Sequence, residues 1–250
     1  MKKFFATRAD GKPTYLYTIS GGDLTAEITD HGAAIHKLLV PDAKGNFADV
    51  ILGFDTPDEY TASDTHTGAV VGRSCNRTRN GRFTLEGKTY QLDLNDGNHS
   101  LHGGFDPYKN RMWQVVRVET NAITLELHSP DGDQGFPGNA TIRVTYTLEA
   151  PATLRVTYDA ICDKDTVFNL TNHTYFNMAG HDNWEKGSKQ ILSMPARFFV
   201  AVDKALIPTG ELKSVEGTAF DFREPKTISK DLGNGLKGYD HTFEVFTDPA

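Results

Sequence analysis

Three short stretches of this sequence gather side chains able to move protons or grip a polar ligand. The first is Asn169-Leu-Thr-Asn-His-Thr-Tyr-Phe-Asn-Met-Ala-Gly180, which sets His173 among hydrogen-bonding groups directly after a strand-like run. Histidine gives or takes a proton near neutral pH without needing an extreme environment. The second, Asn95-Asp-Gly-Asn-His-Ser-Leu-His-Gly-Gly104, carries His99 and His102 in a loop whose three glycines let the backbone approach a ligand closely. These two histidines are three apart, but no acidic or cysteine partner completes a recognisable metal spacing, so no metal is expected. The third, Val71 to Phe83, has four arginines in thirteen residues. As a solvated basic face they would do no chemistry. Beside glycine and asparagine, however, a planar guanidinium offers five donors in fixed directions, and Asn76-Arg77 is the pair best suited to hold a polar ligand. A half-buried histidine satisfied by its neighbours would also be inert. Acid–base chemistry follows only if His102 and His173 converge, which spacing alone does not decide.

The elements that must position these residues read as strands. Leu24-Thr-Ala-Glu-Ile-Thr alternates apolar and polar residues, Ala34 to Val40 ends at Pro41, and Val50 to Phe54 ends at Asp55 and Pro57. Arg82 to Leu92 reads as a hairpin turning at Glu86-Gly87. Trp113 to Val118, Ala122 to Leu127, Ala140 to Leu148, Thr153 to Tyr158 and Thr166 to Leu170 follow at regular intervals. His173 then falls where a strand meets its connecting loop, an edge at which rigid scaffolds present reactive groups. Helical periodicity with caps is nowhere convincing, and 23 glycines with 11 prolines punctuate the chain. The expected fold class is all-β, a large antiparallel sandwich or barrel, read as a single domain over residues 1–250.

Composition narrows the function classes. With 250 residues and 38% hydrophobic content, a sizeable core is affordable. A net charge of -7 argues against nucleic acid and anionic membrane surfaces, both of which select for clustered Lys and Arg. A neutral or polar small molecule suits the chain better. The N-terminal Met1-Lys-Lys-Phe-Phe-Ala has too few apolar residues for a signal peptide, and no apolar run approaches membrane-spanning length. Cys75 and Cys162 are therefore expected as reduced thiols, and a cytoplasmic location is expected. Sequons occur at Asn76, Asn98, Asn139, Asn169 and Asn172, four of them inside the stretches above, where a glycan would obstruct a site.

Six segments in order, Asn76-Arg77, Ser100-Leu-His-Gly-Gly104, Asn169-Leu-Thr-Asn-His-Thr-Tyr-Phe176, Leu206-Ile-Pro-Thr-Gly-Glu-Leu212, Gly217-Thr-Ala-Phe-Asp-Phe-Arg223 and Gly238-Tyr-Asp-His241, resemble the aldose 1-epimerase (galactose mutarotase) family. The resemblance covers nearly the whole chain and implies that family's antiparallel β-supersandwich. It implies an enzyme interconverting the α and β anomers of free aldohexoses such as galactose and glucose, without metal or organic cofactor. Position by position, it assigns His173 to protonation of the ring oxygen and His102 to the family's first active-site histidine. Asn76, Arg77 and Asp240 fall to sugar hydroxyl contacts, and Tyr175 lies beside the site. His99 matches no family histidine, so its role is open. The family's general base is a glutamate in a C-terminal segment beyond Gly-Tyr-Asp-His, so the resemblance implies that base and the last strands to be missing from a chain ending at Ala250. Self-association or a partner chain completing the sandwich is then expected. Glu211, Glu216 and Glu244 lack the motif context to stand in for the base. The alternative function is an inactive sugar-binding module. A weaker alternative is recognition of a sugar phosphate through the arginines from Arg73 to Arg82.

Overall fold

The computed structural model describes residues 1–233 and 235–245. Its contacts group into two units, Met1–Phe176 and Asn177–Ala250. In the first unit, β1 (Lys2–Thr7), β2 (Pro13–Gly21), β3 (Leu24–Thr29), β4 (Ile35–Pro41) and β5 (Phe47–Asp49) form an antiparallel five-stranded sheet in chain order. A short helix follows, α1 (Pro57–Ala62). Thr56 caps it by accepting from the Glu59 amide, the Glu59 carboxylate accepts back from the Thr56 amide, and Pro57 opens the first turn. At its other end the ammonium of Lys109 donates to the carbonyls of Tyr60, Thr61 and Ser63.

Next come β6 (Val70–Val71), β7 (Arg77–Thr78), the hairpin β8 (Arg82–Leu85) and β9 (Lys88–Gln91), and β10 (Ser100–Leu101). The hairpin turns at Glu86-Gly87 as expected, both with positive φ (51° and 74°), the signature of a turn matching strand twist. A four-stranded antiparallel sheet follows: β11 (Gln114–Val118), β12 (Ala122–Ser129), β13 (Ala140–Glu149) and β14 (Thr153–Cys162), then the two-residue β15 (Thr171–Asn172). The expected β-sandwich is this pair of sheets. Along β13, Ala140, Ile142, Val144, Tyr146 and Leu148 point inward at period two and meet Ile19, Ile28 and Ile35 of the first sheet, with Ile123 and Leu125 of β12. All of these are essentially buried.

Two expected strands are not strands. Of Val50 to Phe54 only Ile51 bridges, to Phe176, and Val50 and Ile51 are buried as core-filling connection. Within Thr166 to Leu170 only Asn169 bridges, to Ser74, because this stretch wraps a buried arginine rather than a neighbouring strand.

In the second unit β16 (Ile191–Leu192) pairs with β19 (Lys226–Thr227), and β17 (Ala196–Val202) is flanked by β18 (Pro208–Ser214) and β20 (Phe243–Val245). Its aromatic cluster holds Phe199, Phe220, Phe222, Tyr239 and His241. Because Tyr239 and His241 turn into that cluster, Asp240 between them is exposed.

Candidate active site

One segment, residues 66–78, draws the histidine-bearing stretches together through two short ladders. At its far end β7 pairs with β10, Arg77 opposite Leu101 and Thr78 opposite Ser100, so His102 emerges beside Asn76. The two residues then bond reciprocally. The His102 amide donates to the Asn76 carbonyl (3.2 Å), and the Asn76 amide donates to His102 Nδ1 (3.1 Å). At the near end β6 pairs with β15, and the chain continues the ladder: the His173 amide donates to Ala69 O (2.9 Å) and the Gly68 amide to His173 O (3.0 Å). Asn172 anchors that turn from behind, donating to Gly68 O and to the buried Tyr146 hydroxyl, which itself donates to Ala33 O.

The result is a group of three imidazoles from three separate segments. His102 and His173 lie 5.3 Å apart between ring centroids and nearly perpendicular (82°). A third ring, His66, lies 4.7 Å from His102 and 6.0 Å from His173. Tyr175 packs on the other side of His173 at 5.1 Å, and its hydroxyl donates to Thr65 O. Asn76, Arg77, His102, His173 and Tyr175 are thus brought together within the first unit. Asp240 belongs to the second unit. His99 is spent on the loop: its Nδ1 accepts from the Asn80 amide at 3.0 Å. His66 was not singled out in the sequence, because one histidine in the polar stretch Asp64-Thr-His-Thr-Gly68 carries no motif.

Protonation follows from the partners. Since His102 Nδ1 accepts from a backbone amide, the neutral ring carries its proton on Nε2 and can donate there. Burial above all, with the neighbouring His66, His173 and Arg77 acting in the same direction, pushes His102 down to about 3. Burial likewise pushes His66 down to about 4. Arg77 is fixed by an ion pair from Nε to Asp96 (2.7 Å), and its amide donates to Asn76 Oδ1 (2.7 Å). His66, Asn76 and His102 all hold positive φ (55°, 60° and 54°), a conformation non-glycine residues adopt at a cost. Gly103 is forced as well: a Cβ there would stand 2.3 Å from the Gly72 carbonyl oxygen.

The other arginines divide. Arg73 is fully buried, with Nη1 donating to Pro137 O, Gly138 O and Thr166 Oγ1 and Nη2 to Ser129 O, Ser129 Oγ and Gly138 O. Arg82 pairs with Gln91 on the surface hairpin. The arginine cluster is therefore no single anion site: one member is internal scaffolding and one serves the hairpin.

The buried histidines have a consequence for stability. Burial holds His31 at about 4, His66 at about 4 and His102 at about 3, and lowers His36, whereas free imidazoles titrate near 6.5. Below about pH 6.5 the unfolded chain therefore binds protons that the folded chain refuses, so stability falls as pH falls towards 4. Asp30, raised by burial to about 6, works the opposite way between 6 and about 4, but four histidines oppose one carboxylate. The urea midpoint is expected to be lower at pH 5 than at pH 7. An equal or higher midpoint at pH 5 would contradict this.

The family model for aldose 1-epimerase matches residues 15–249. An aldose 1-epimerase of Haemophilus influenzae is 41% identical, over 94% of this chain and 70% of its own. The galactose mutarotase of Bos taurus is 41% identical, over 91% of this chain and 66% of its own. The chain thus spans about two thirds of the length of the curated relatives it matches. Among solved structures, a GalM/aldose epimerase homologue from C. elegans superposes with a TM-score of 0.86 at 34% identity, covering 94% of this chain and 73% of its own. A galactose 1-epimerase from Lactobacillus acidophilus gives 0.85 at 29% identity, covering 100% and 75%.

Proposed function

The chain belongs to the aldose 1-epimerase family, and from that premise we propose that it interconverts the α and β anomers of free aldohexoses such as galactose and glucose. The observation that carries this is the convergence of His102 and His173, from segments some seventy positions apart in sequence, on one another and on Asn76-Arg77. Two proton-handling groups beside a polar gripping pair are what hemiacetal opening requires.

The reaction needs a base to take the C1 hydroxyl proton while an acid protonates the ring oxygen. The O1 electron pair then forms the aldehyde and the C1–O5 bond breaks. Rotation about C1–C2 and the reverse steps deliver the other anomer. His173 is the acid at the ring oxygen. His102, presenting Nε2–H, is a second donor to the same side of the sugar. Asn76 and Arg77 hold hydroxyls, the guanidinium pre-set by Asp96. Tyr175 borders His173 with its ring while its hydroxyl is engaged with Thr65. Asp240 is assigned a further hydroxyl on the strength of its motif. Among the described residues no carboxylate hydrogen-bonds to the three imidazoles, and none of the described residues is assigned the role of base. The free aldehyde carries no formal charge, and proton transfer with positioning suffices without a cofactor. A cytoplasmic setting goes with this function and with the two free thiols, Cys75 and Cys162. Among the described residues no helix is long and apolar enough to cross a membrane.

Polarimetry of freshly dissolved α-D-galactose decides the matter. The protein is expected to speed the decay of optical rotation well beyond the buffer rate. Sugar binding without acceleration would instead support a binding module.

A further inference from the structure

His66 sits against both working histidines, and the loop that carries it is fastened from every side. Lys109 holds the Ser63 carbonyl, and the hydroxyls of Ser63, Thr65 and Thr67 form a chain with contacts of 2.7 and 2.6 Å. The Tyr175 hydroxyl donates to Thr65 O at 3.1 Å. Tyr175 thereby ties the His66 loop to the turn that bears His173. The backbone of His66 itself takes a positive φ of 55°, which histidine tolerates better than most side chains. Its Nδ1 faces Asp64 O at 3.4 Å, so the proton resides there, and among the described residues its buried Nε2 meets no hydrogen-bond donor.

We propose that His66 is a positioning residue for the reaction described above: its ring is the wedge that sets the spacing and tilt of His102 and His173 towards the sugar. The inference rests on that function and goes beyond it. On one edge His102 is held by the Asn76 amide alone; its face is held by His66. The charged and titratable groups facing His66 are His102, His173, Lys109 and Asp64. Burial keeps this imidazole neutral through the physiological range, so it adds no charge beside the other two rings. A cationic side chain in its place would repel any proton that the acid must carry.

The test uses His66→Ala, which removes the wedge, and His66→Phe, which restores a ring without its nitrogens. Polarimetry gives kcat and KM for α-D-galactose, and long-range imidazole nitrogen–proton spectra give the tautomer of His102 in the sugar-free protein. H66A is expected to lose about 10- to 100-fold in kcat with KM within about threefold of the parent, since misplacement by about 1 Å costs on that order. H66F is expected to recover to within about threefold of the parent kcat. The single Nε2–H pattern of His102 should average in H66A and persist in H66F. A merely structural role would lower the urea midpoint of H66A while leaving kcat and the His102 pattern at parent values, and that result overturns the inference. If the parent itself fails to accelerate mutarotation, the proposed function falls. The spectra then decide the wedge alone, an unaltered His102 pattern in H66A sinking it. Should H66A not fold, an H66F that loses the His102 pattern overturns the inference equally.

Discussion

Replacing His173 with alanine is expected to cut the rate of anomer exchange by about two to four orders of magnitude, the usual contribution of a positioned general acid. The expectation comes from how the ring is held. Its backbone is bonded through both its amide and its carbonyl to Ala69 and Gly68, just before β6, and Asn172 beneath it reaches the hydroxyl of the fully buried Tyr146. The side chain projects from this anchored turn between His102 and Tyr175. Loss of the imidazole therefore removes a proton donor without undoing the turn, and the deficit should appear in kcat more than in KM. His99→Ala is the fitting contrast, because His99 serves only the Asn80 amide and should leave the polarimetric rate near that of the parent. If H173A keeps more than about a tenth of the parent rate, His173 is not the acid.

Arg73→Ala is expected to destabilise the fold by about 3–5 kcal/mol, the cost of breaking a buried charged network by removing one partner. Arg73 has no exposed surface, and its guanidinium satisfies the carbonyls of Ser129, Pro137 and Gly138 and the Thr166 hydroxyl. Phe136 and Phe168 pack on it at 5.6 and 5.8 Å. Its countercharge is relayed: Ser129 Oγ donates to Asp133, which also takes two bonds of 2.8 Å from Arg111. Burial opposes the charge on Asp133, yet the hydrogen bonds from Arg111 and Ser129 outweigh it and hold the carboxyl below its ordinary range. Alanine would leave the acceptors without donors and a cavity among aromatics. Lysine would keep the charge but serve fewer acceptors, costing about 2 kcal/mol. Urea unfolding measures both, and a loss under about 1 kcal/mol for R73A would show that the cage relaxes around its missing centre.

Much of this was legible in residue order. Period-two alternation located β3, β12 and β13 nearly to the residue, and Glu86-Gly87 announced its turn. What misled was apolar content without periodicity. Val50 and Ile51 are buried for packing, with the stretch to Phe54 bonded mostly outside any ladder, and Thr166 to Leu170 is shaped by the Arg73 cage, which no local pattern encodes. In the site, motif context singled out His102, His173 and Asn76-Arg77, and the fold brings these residues near one another. No local feature marked Arg73 as buried, since its cage is built from residues 56 to 93 positions away. His66 escaped for the same reason: its importance lies in what β6 and β7 bring against it.

The pairing of β6 with β15 joins residues about 100 positions apart in the chain, Val71 with Thr171 and Val70 with Asn172. Contacts of such separation must wait for loop closure, so they slow folding and form late. During synthesis, at about 5–20 residues per second, the strand Val70–Val71 stands without its partner for roughly 5–20 s. Over that interval the nascent chain has its first histidines but no site, and an unpaired apolar edge that a chaperone could shield. The backbone bonds that seat His173 against Gly68 and Ala69 therefore form late, once Thr171 and Asn172 can close on Val70 and Val71.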